Sequence, residues 1–555
     1  MQRVWLVSCL VVSGCSGVID ASRSLRVEPE TIDLAVDLAL PAPTAAMQVV
    51  LVHDDGTEDD VTTSASFVLD GAPLGELAGA SLASDGLTGG AATIQITYGD
   101  LATSIEATAH VHGRRIVDGT PAAAAAAFSM ASPPPFDAHV DPQDGAVLPP
   151  GLGRMVVSFA ANDLDDTHQI SVTAPYLDLA IDAPGVAGPR ELELSASEVG
   201  AITHTARGGA VELEVASLQS SAPATSRVTT VGLEIADLDA SSILVSGIAV
   251  VGAITDADHP GLWRYDMLAG SAAPLAANPD GMCIGCHLAV SADGTKIGAL
   301  TNATSTPFIN GVILDAHTGA VLSQSDPAST SPWATAAFDP SGALLGAWQG
   351  AISLRDGTTG AMIGPIATTD SVAAPTIAPD GSAVAYVSLD AGGSSEPVGN
   401  VLRIRSWNAA QLAVGPPVDL VRDVNGVVLP ELSSDGRWVA FGHSQPPPSD
   451  GDIPSSSSAV RVDGSGTMVL LTTDPLDQLA HWASPIAPAR VGNRNAEPMV
   501  WIAINSSRPV GGNATSPQQL WLEAFYPDRG VVAPAFHLPG QPAILQILHG
   551  PIALP

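Results

Sequence analysis

Lysine is all but missing from this chain: Lys296 is the only one in 555 residues. Arginine raises the basic total to 21, against 57 acidic side chains and a net charge of −36. A ligand of nucleic acid or of anionic headgroups needs a basic patch, so both partner classes are excluded as the main function. Such acidity serves solubility in the first place. Aromatic residues make up only 4% of the chain, and beyond Trp5 every tryptophan lies after residue 260. The front and back halves are therefore built differently. No apolar run approaches the ~20 residues that a membrane-spanning helix requires. There is no GxSxG elbow, no HExxH pair and no phosphate-binding loop, which removes the common signatures of hydrolases, zinc proteases and nucleotide hydrolases. Cysteine occurs four times, as Cys9, Cys15, Cys283 and Cys286.

What is present begins with Arg3, a short apolar run over 4–12, then Ser13, Gly14 and Cys15. A charged start, a short apolar core and small residues describe a secretory signal over 1–14. Val12-Ser13-Gly14-Cys15 resembles the lipobox of bacterial lipoproteins, which implies a lipid on Cys15 and a short tether over 15–23. An ordinary signal peptide with a chance cysteine is the competing reading. Ser16 follows the cysteine, and the family's sorting rule then favours the outer membrane. The expectation is an envelope protein, periplasmic or surface-facing, held to a membrane by lipid alone.

The fold expected is all-β, with one or two immunoglobulin-like β-sandwiches followed by a roughly six-bladed β-propeller. Residues 24–114 read as strands, since 31–38 alternates apolar and polar and turn formers such as Asp54-Asp55-Gly56 separate the runs. The segments 55–62 and 89–96 resemble the bacterial immunoglobulin-like (Big-type) domains, which implies a spacer or stalk. An alanine run and Pro133-Pro134-Pro135 mark a linker over 115–136. Residues 137–254 return to strand patterning, as in 155–159, 211–215 and 242–246, and are expected to form a second sandwich. Asp163, Asp165 and Asp166 lack the spacing and glycine of an EF-hand loop and read as a solvated acidic turn.

From 255 to 555 two elements alternate. One is a turn leading into an apolar strand, at 291–300, 339–348, 378–387 and 433–441. The other is an apolar strand ending in an Asp/Gly turn, at 262–270, 312–319, 352–360 and 460–466. Their spacing of about 40 to 55 residues is a propeller rhythm. The Ser-Pro-Asp-Gly-like turns resemble TolB-type (PD40) propellers, and degenerate versions near 481–485 and 519–524 bring the count to roughly six blades.

Cys283-Ile284-Gly285-Cys286-His287 carries the strongest chemical signal. CxxCH is the attachment motif of c-type haem: two thiols reach the vinyl groups and His287 ligates the iron. Haem is attached outside the cytoplasm, so this motif and the export signal support each other. The motif implies one covalent haem c, with electron transfer at the envelope to an unidentified redox partner rather than a conventional enzyme activity. A Cys283–Cys286 disulfide in a haem-free scaffold for protein or glycan is the alternative. A thioredoxin-like pair would need a strand-to-helix context, and zinc would need two further ligands. For the iron's other face, counting back three positions from each repeated turn gives Ala336, Pro375, Pro430 and His481. His481 is the one candidate ligand in that set, competing with a plain backbone hydrogen bond, and Met282 and Met499 are weaker rivals.

Overall fold

The computed structural model describes residues 23–121, 128, 140–161, 164–185, 190–240, 243–251, 254–255, 261–276, 282–303, 306–325, 333, 335–389, 398–443, 456–510, 518–541 and 545–553. For 223–226, 243–251, 254–255, 276, 282–287, 300–303, 306–310, 389, 398, 425 and 545–553 it describes the backbone alone. The signal segment 1–14, Cys15, Asp163 and most of the tether and linker therefore lie outside the described residues. The chain divides into two compact units, Met1–His112 and Gly113–Pro555.

In the first unit, Thr31–Asp37 alternates as its sequence does, with Ile32, Leu34 and Val36 buried and the residues between them exposed. This strand pairs in parallel with residues 106–112 of Leu101–Ile116, which pairs antiparallel on its other side with Gly90–Tyr98. Ser66–Gly71 then pairs with Gly90–Tyr98. Two three-stranded sheets complete the unit. One is Ser24–Glu28, Gln48–Val52 and Glu58–Asp60; the other is Thr44–Ala46, Ser81–Ser84 and Gly75–Ala78.

The second unit opens with a sheet containing Thr167–Ala174, Leu177–Pro184, Ala210–Gln219 and Ala222–Ile235. One helix, Ala196–Thr205, interrupts a stretch whose patterning reads as strand throughout. Its start carries a capping box: Ser195 Oγ accepts from the Glu198 N–H, and the Glu198 carboxylate accepts from the Ser195 N–H at 2.6 Å. Ser-x-x-Glu is a helix-start signature, so the signal is local and present in the sequence. The helix buries Val199, Ala201 and Ile202.

A series of antiparallel meanders follows, and this part of the chain is a β-propeller. Met282–Val290, Lys296–Ala303, Thr306–Asp315 and Val321–Gln324 form one four-stranded sheet; Thr335–Phe338, Leu344–Trp348, Ala351–Arg355 and Met362–Ile366 form the next. Ser371–Ile377, Ala383–Leu389 and Val398–Asn408 lead into the long strand Val418–Leu432. The first part of that strand pairs with residues 401–404, and its last part pairs with Trp438–His443. One strand thus closes a meander and opens another, which Ser456–Arg461 and Met468–Leu470 continue. Asp477–Trp482, Glu497–Ser506 and Gln519–Tyr526 form a further sheet. The last strand, Leu545–Ala553, pairs antiparallel with Ile243–Val251, which also pairs with Gly261–Asp266. Ile243–Val251, which the sequence places at the end of the preceding region, is thereby part of a propeller sheet.

The two repeated elements are hydrogen-bonded turns. In the first, Ser291 Oγ donates to Asp293 Oδ1 and accepts from the Lys296 N–H; Ser433 Oγ does the same with Asp435 and the Trp438 N–H. In the second, the Asp315 and Asp356 carboxylates each accept two backbone N–H groups and a threonine hydroxyl. The closing glycines have φ of +67° at Gly294 and Gly436 and +83° at Gly342, where a side chain is strained. The tryptophans fill the spaces between sheets: Trp438, Trp482, Trp521 and Phe525 share one core, with the Trp438 and Phe525 rings edge to face at 5.4 Å. The region before the propeller is tied to its last sheet through the Ala236–Val491 bridge, the Trp501 Nε1–H to Leu238 carbonyl bond at 2.9 Å, and the Arg494–Glu234 pair.

Candidate functional site

The first strands of the meanders stand side by side. Thr335–Phe338 packs against both Met282–Val290 and Ser371–Ile377, and Leu545–Ala553 packs against both Met282–Val290 and Asp477–Trp482. The CxxCH motif lies on Met282–Val290, so it belongs to this inner set.

The backbone of that strand is irregular at the motif. Cys283 pairs with Asn302 and Ile284 with Thr301, and pairing resumes at Leu288 with Ala299. Gly285, Cys286 and His287 therefore stand opposite Leu300 alone, which makes a bulge of three residues against one. In an uninterrupted strand, residues three apart belong to opposite faces, a poor arrangement for two thiols that must meet one group. A bulge suspends that alternation. The donor set of two thiols and an imidazole, placed at a bulge on an inner strand, fits the attachment of a haem.

His481 lies on the inner strand Asp477–Trp482, two inner strands from the motif, with Leu545–Ala553 between. Its Nδ1 is 2.9 Å from Glu431 Oε2. A carboxylate only accepts, so Nδ1 carries the hydrogen, and in the neutral ring Nε2 is left as a lone-pair acceptor. That Nε2 is buried without a hydrogen-bond partner among the described residues. The same Glu431 oxygen accepts the Trp482 N–H at 3.2 Å, and the Glu431 carbonyl accepts Trp482 Nε1–H at 3.0 Å. The competing sequence reading gave His481 a backbone carbonyl as partner; its partner is a side-chain carboxylate 50 residues away. Met499 is fully buried on Glu497–Ser506, the second strand of its sheet, opposite Ala487. Met282 pairs with Ala303 at the start of the motif strand. Among the described side chains, no group of three or more His, Cys, Asp or Glu residues is arranged to hold a metal ion. No described helix is long and apolar enough to cross a membrane.

Sequence reasoning missed a cavity of about 240 Å³ where five inner strands end. Val290 to Ala292, Phe338, Ile377, Leu432, Trp482 and Ser484 contribute to its wall, and Glu431 is the one charged residue lining it among the described residues. The repeated turns could have indicated its position, because each follows an inner strand. Which residues face it depends on packing.

No family model matches this chain, and no curated protein matches it. Among solved structures, it is similar to a TolB-type protein of Agrobacterium tumefaciens, at 16% identity and a TM-score of 0.32, over 57% of this chain and 99% of that one. It is also similar to hydrazine synthase of Kuenenia stuttgartiensis, at 13% identity and a TM-score of 0.30, over 50% of this chain and 89% of that one. A chain of a mitotic checkpoint complex matches at 14% identity and a TM-score of 0.29, over 50% of this chain and 82% of that one. These likenesses carry no inference about chemistry, and the propeller stands on the strand pairing described above.

Proposed function

We propose that the protein is a lipid-anchored, extracytoplasmic c-type haem protein that transfers electrons at the cell envelope. The observation that carries this reading is the CxxCH motif at a three-residue bulge on an inner propeller strand. Cys283 and Cys286 hold the haem and His287 ligates its iron, so that the bound group supplies a one-electron redox centre. In this reading the propeller closes as six blades, with Leu545–Ala553 completing the sheet begun by Ile243–Val251. The first unit, and the strands between 140 and 240, are read as immunoglobulin-like sandwiches. His481 is the proposed sixth ligand, since its Nδ1 is fixed by Glu431 and its Nε2 has no hydrogen-bond partner among the described residues.

The test is expression in a host with haem-maturation machinery. Haem absorbance should persist through denaturing electrophoresis, and Cys286→Ala should lose most of it. A wild-type mass without one haem, with Cys283 and Cys286 joined as a disulfide, would overturn the haem reading in favour of a binding scaffold.

A further inference from the structure

Glu431 occupies an unusual position. Among the described residues it is the one charged group lining a cavity otherwise walled by apolar and hydroxyl side chains. Its Oε2 is engaged by His481 and by the Trp482 N–H. Its Oε1 accepts no hydrogen bond from any described residue, and a fifth of the side chain's surface stays accessible. A carboxylate held against an apolar wall is poorly solvated and gains most from a cation that reaches it. Among the described residues no lysine or arginine lines the cavity to supply one.

We propose that this cavity binds a small organic cation, whose ammonium group pairs with Glu431 Oε1 while its apolar body rests against Phe338, Leu432 and Trp482. Three features select this class. The charge is single and negative, so anions and phosphates are rejected. Two aromatic side chains favour an ammonium over a neutral group of equal shape. The volume of about 240 Å³ lies just below the usual range of ~300–1,000 Å³ for ligand sites and admits a molecule of roughly one ring and a side arm. Glu431 is also positioned with care: His481 and the Trp482 N–H both hold one oxygen, which orients the other. The proposal does not depend on haem at Cys283 and Cys286.

The experiment is calorimetric titration of the full chain at pH 7, prepared with and without haem, using benzylammonium, benzyl alcohol and benzoate. Benzylammonium should bind to both preparations, benzyl alcohol at least about tenfold more weakly, and benzoate not at all. Glu431→Gln keeps an acceptor for His481 and Trp482 but removes the charge, and should erase the preference for benzylammonium while leaving the benzyl alcohol affinity unchanged. Ala292→Trp, an exposed turn position on the cavity wall, should weaken both ligands by obstruction. Equal affinity for cation and alcohol, an unaltered preference in Glu431→Gln, or no binding of benzylammonium would each overturn the proposal. Covalent haem is read separately by electrophoresis, so failure of one reading does not obscure the other.

Discussion

Glu523 is fully buried with neither carboxylate oxygen hydrogen-bonded to a described residue, on a strand whose Trp521 and Phe525 lie in a core between sheets. Burial, and then the negative charge of Asp477, push its pKa well above the carboxylate range, with Arg508 opposing. Burial likewise raises Asp141 to about 7, against the backbone N–H of His537 and the charge of Arg508. Two histidines shift the other way: burial lowers His537 to about 4, and burial with the neighbouring Arg190 lowers His168 to about 4. An acid with a raised native pKa holds its proton longer folded than unfolded, so its contribution falls as pH rises from its unfolded value to its folded one. A histidine with a lowered native pKa contributes fully above its unfolded value of about 6.5 and loses that contribution as pH falls toward 4. Between pH 4 and 6.5 two groups fall and two rise, and their sum is close to level. Asp141→Asn removes one falling member. Its stability relative to wild type should climb between pH 4 and 7, by an amount on the order of a few kcal/mol, in urea unfolding series. A flat or descending difference would mean that Asp141 is ionised in the fold. At the same scale, His481→Ala in haem-loaded protein should convert a low-spin spectrum to a high-spin one, and an unchanged low-spin spectrum would remove His481 as ligand.

The repeated turns hold the propeller elements in register. Each aspartate gathers N–H groups that a bend would leave unbonded, and each closing glycine takes a positive φ. A Cβ on Gly342 would meet nothing within 4 Å, and one on Gly436 would touch only the Ala378 Cβ at 3.8 Å. Gly342→Ala and Gly436→Ala therefore isolate the backbone cost, and each should lower stability by about 1 kcal/mol in chemical denaturation. Gly311 differs. A Cβ there would come within 2.1 Å of the Trp333 ring, and its N–H already donates to the Trp333 carbonyl at 2.9 Å. Gly311→Ala has to displace a buried indole and should cost several times as much, on the order of 3 kcal/mol. Similar values for all three would show that Trp333 moves aside freely.

For the whole molecule, the pairing of Leu545–Ala553 with Ile243–Val251 joins strands three hundred residues apart in sequence to one sheet. Loss of that strand would expose the edge of Ile243–Val251 and the inner faces of its neighbours. A chain ending at residue 541 should lose cooperativity and several kcal/mol of stability, and an unchanged transition would show that the closure is dispensable. The proposed lipid anchorage is tested apart from the fold: Cys15→Ala should appear in the soluble fraction or remain unprocessed, and equal membrane retention would overturn lipidation at Cys15.

Most of what proved readable was local. The Ser/Asp/Gly turns and the alternation of 31–38 are written within ten residues, because a turn or strand is dictated by neighbours in the chain. The Ser195–Glu198 capping box was equally local, though the strand pattern around it masked the helix. Tertiary structure decided what depends on distance along the chain. Glu431 and His481 are 50 residues apart and meet because successive inner strands stand together; Asp141 and His537 meet because the region before the propeller packs on its last sheet. The bulge at Gly285–His287 became evident only against its partner strand, because register is a relation between two strands. By itself the sequence determined where the chain turns and which residue types it carries. Packing decided which of those residues share a cavity, since burial and charge at a site are set by every element that encloses it.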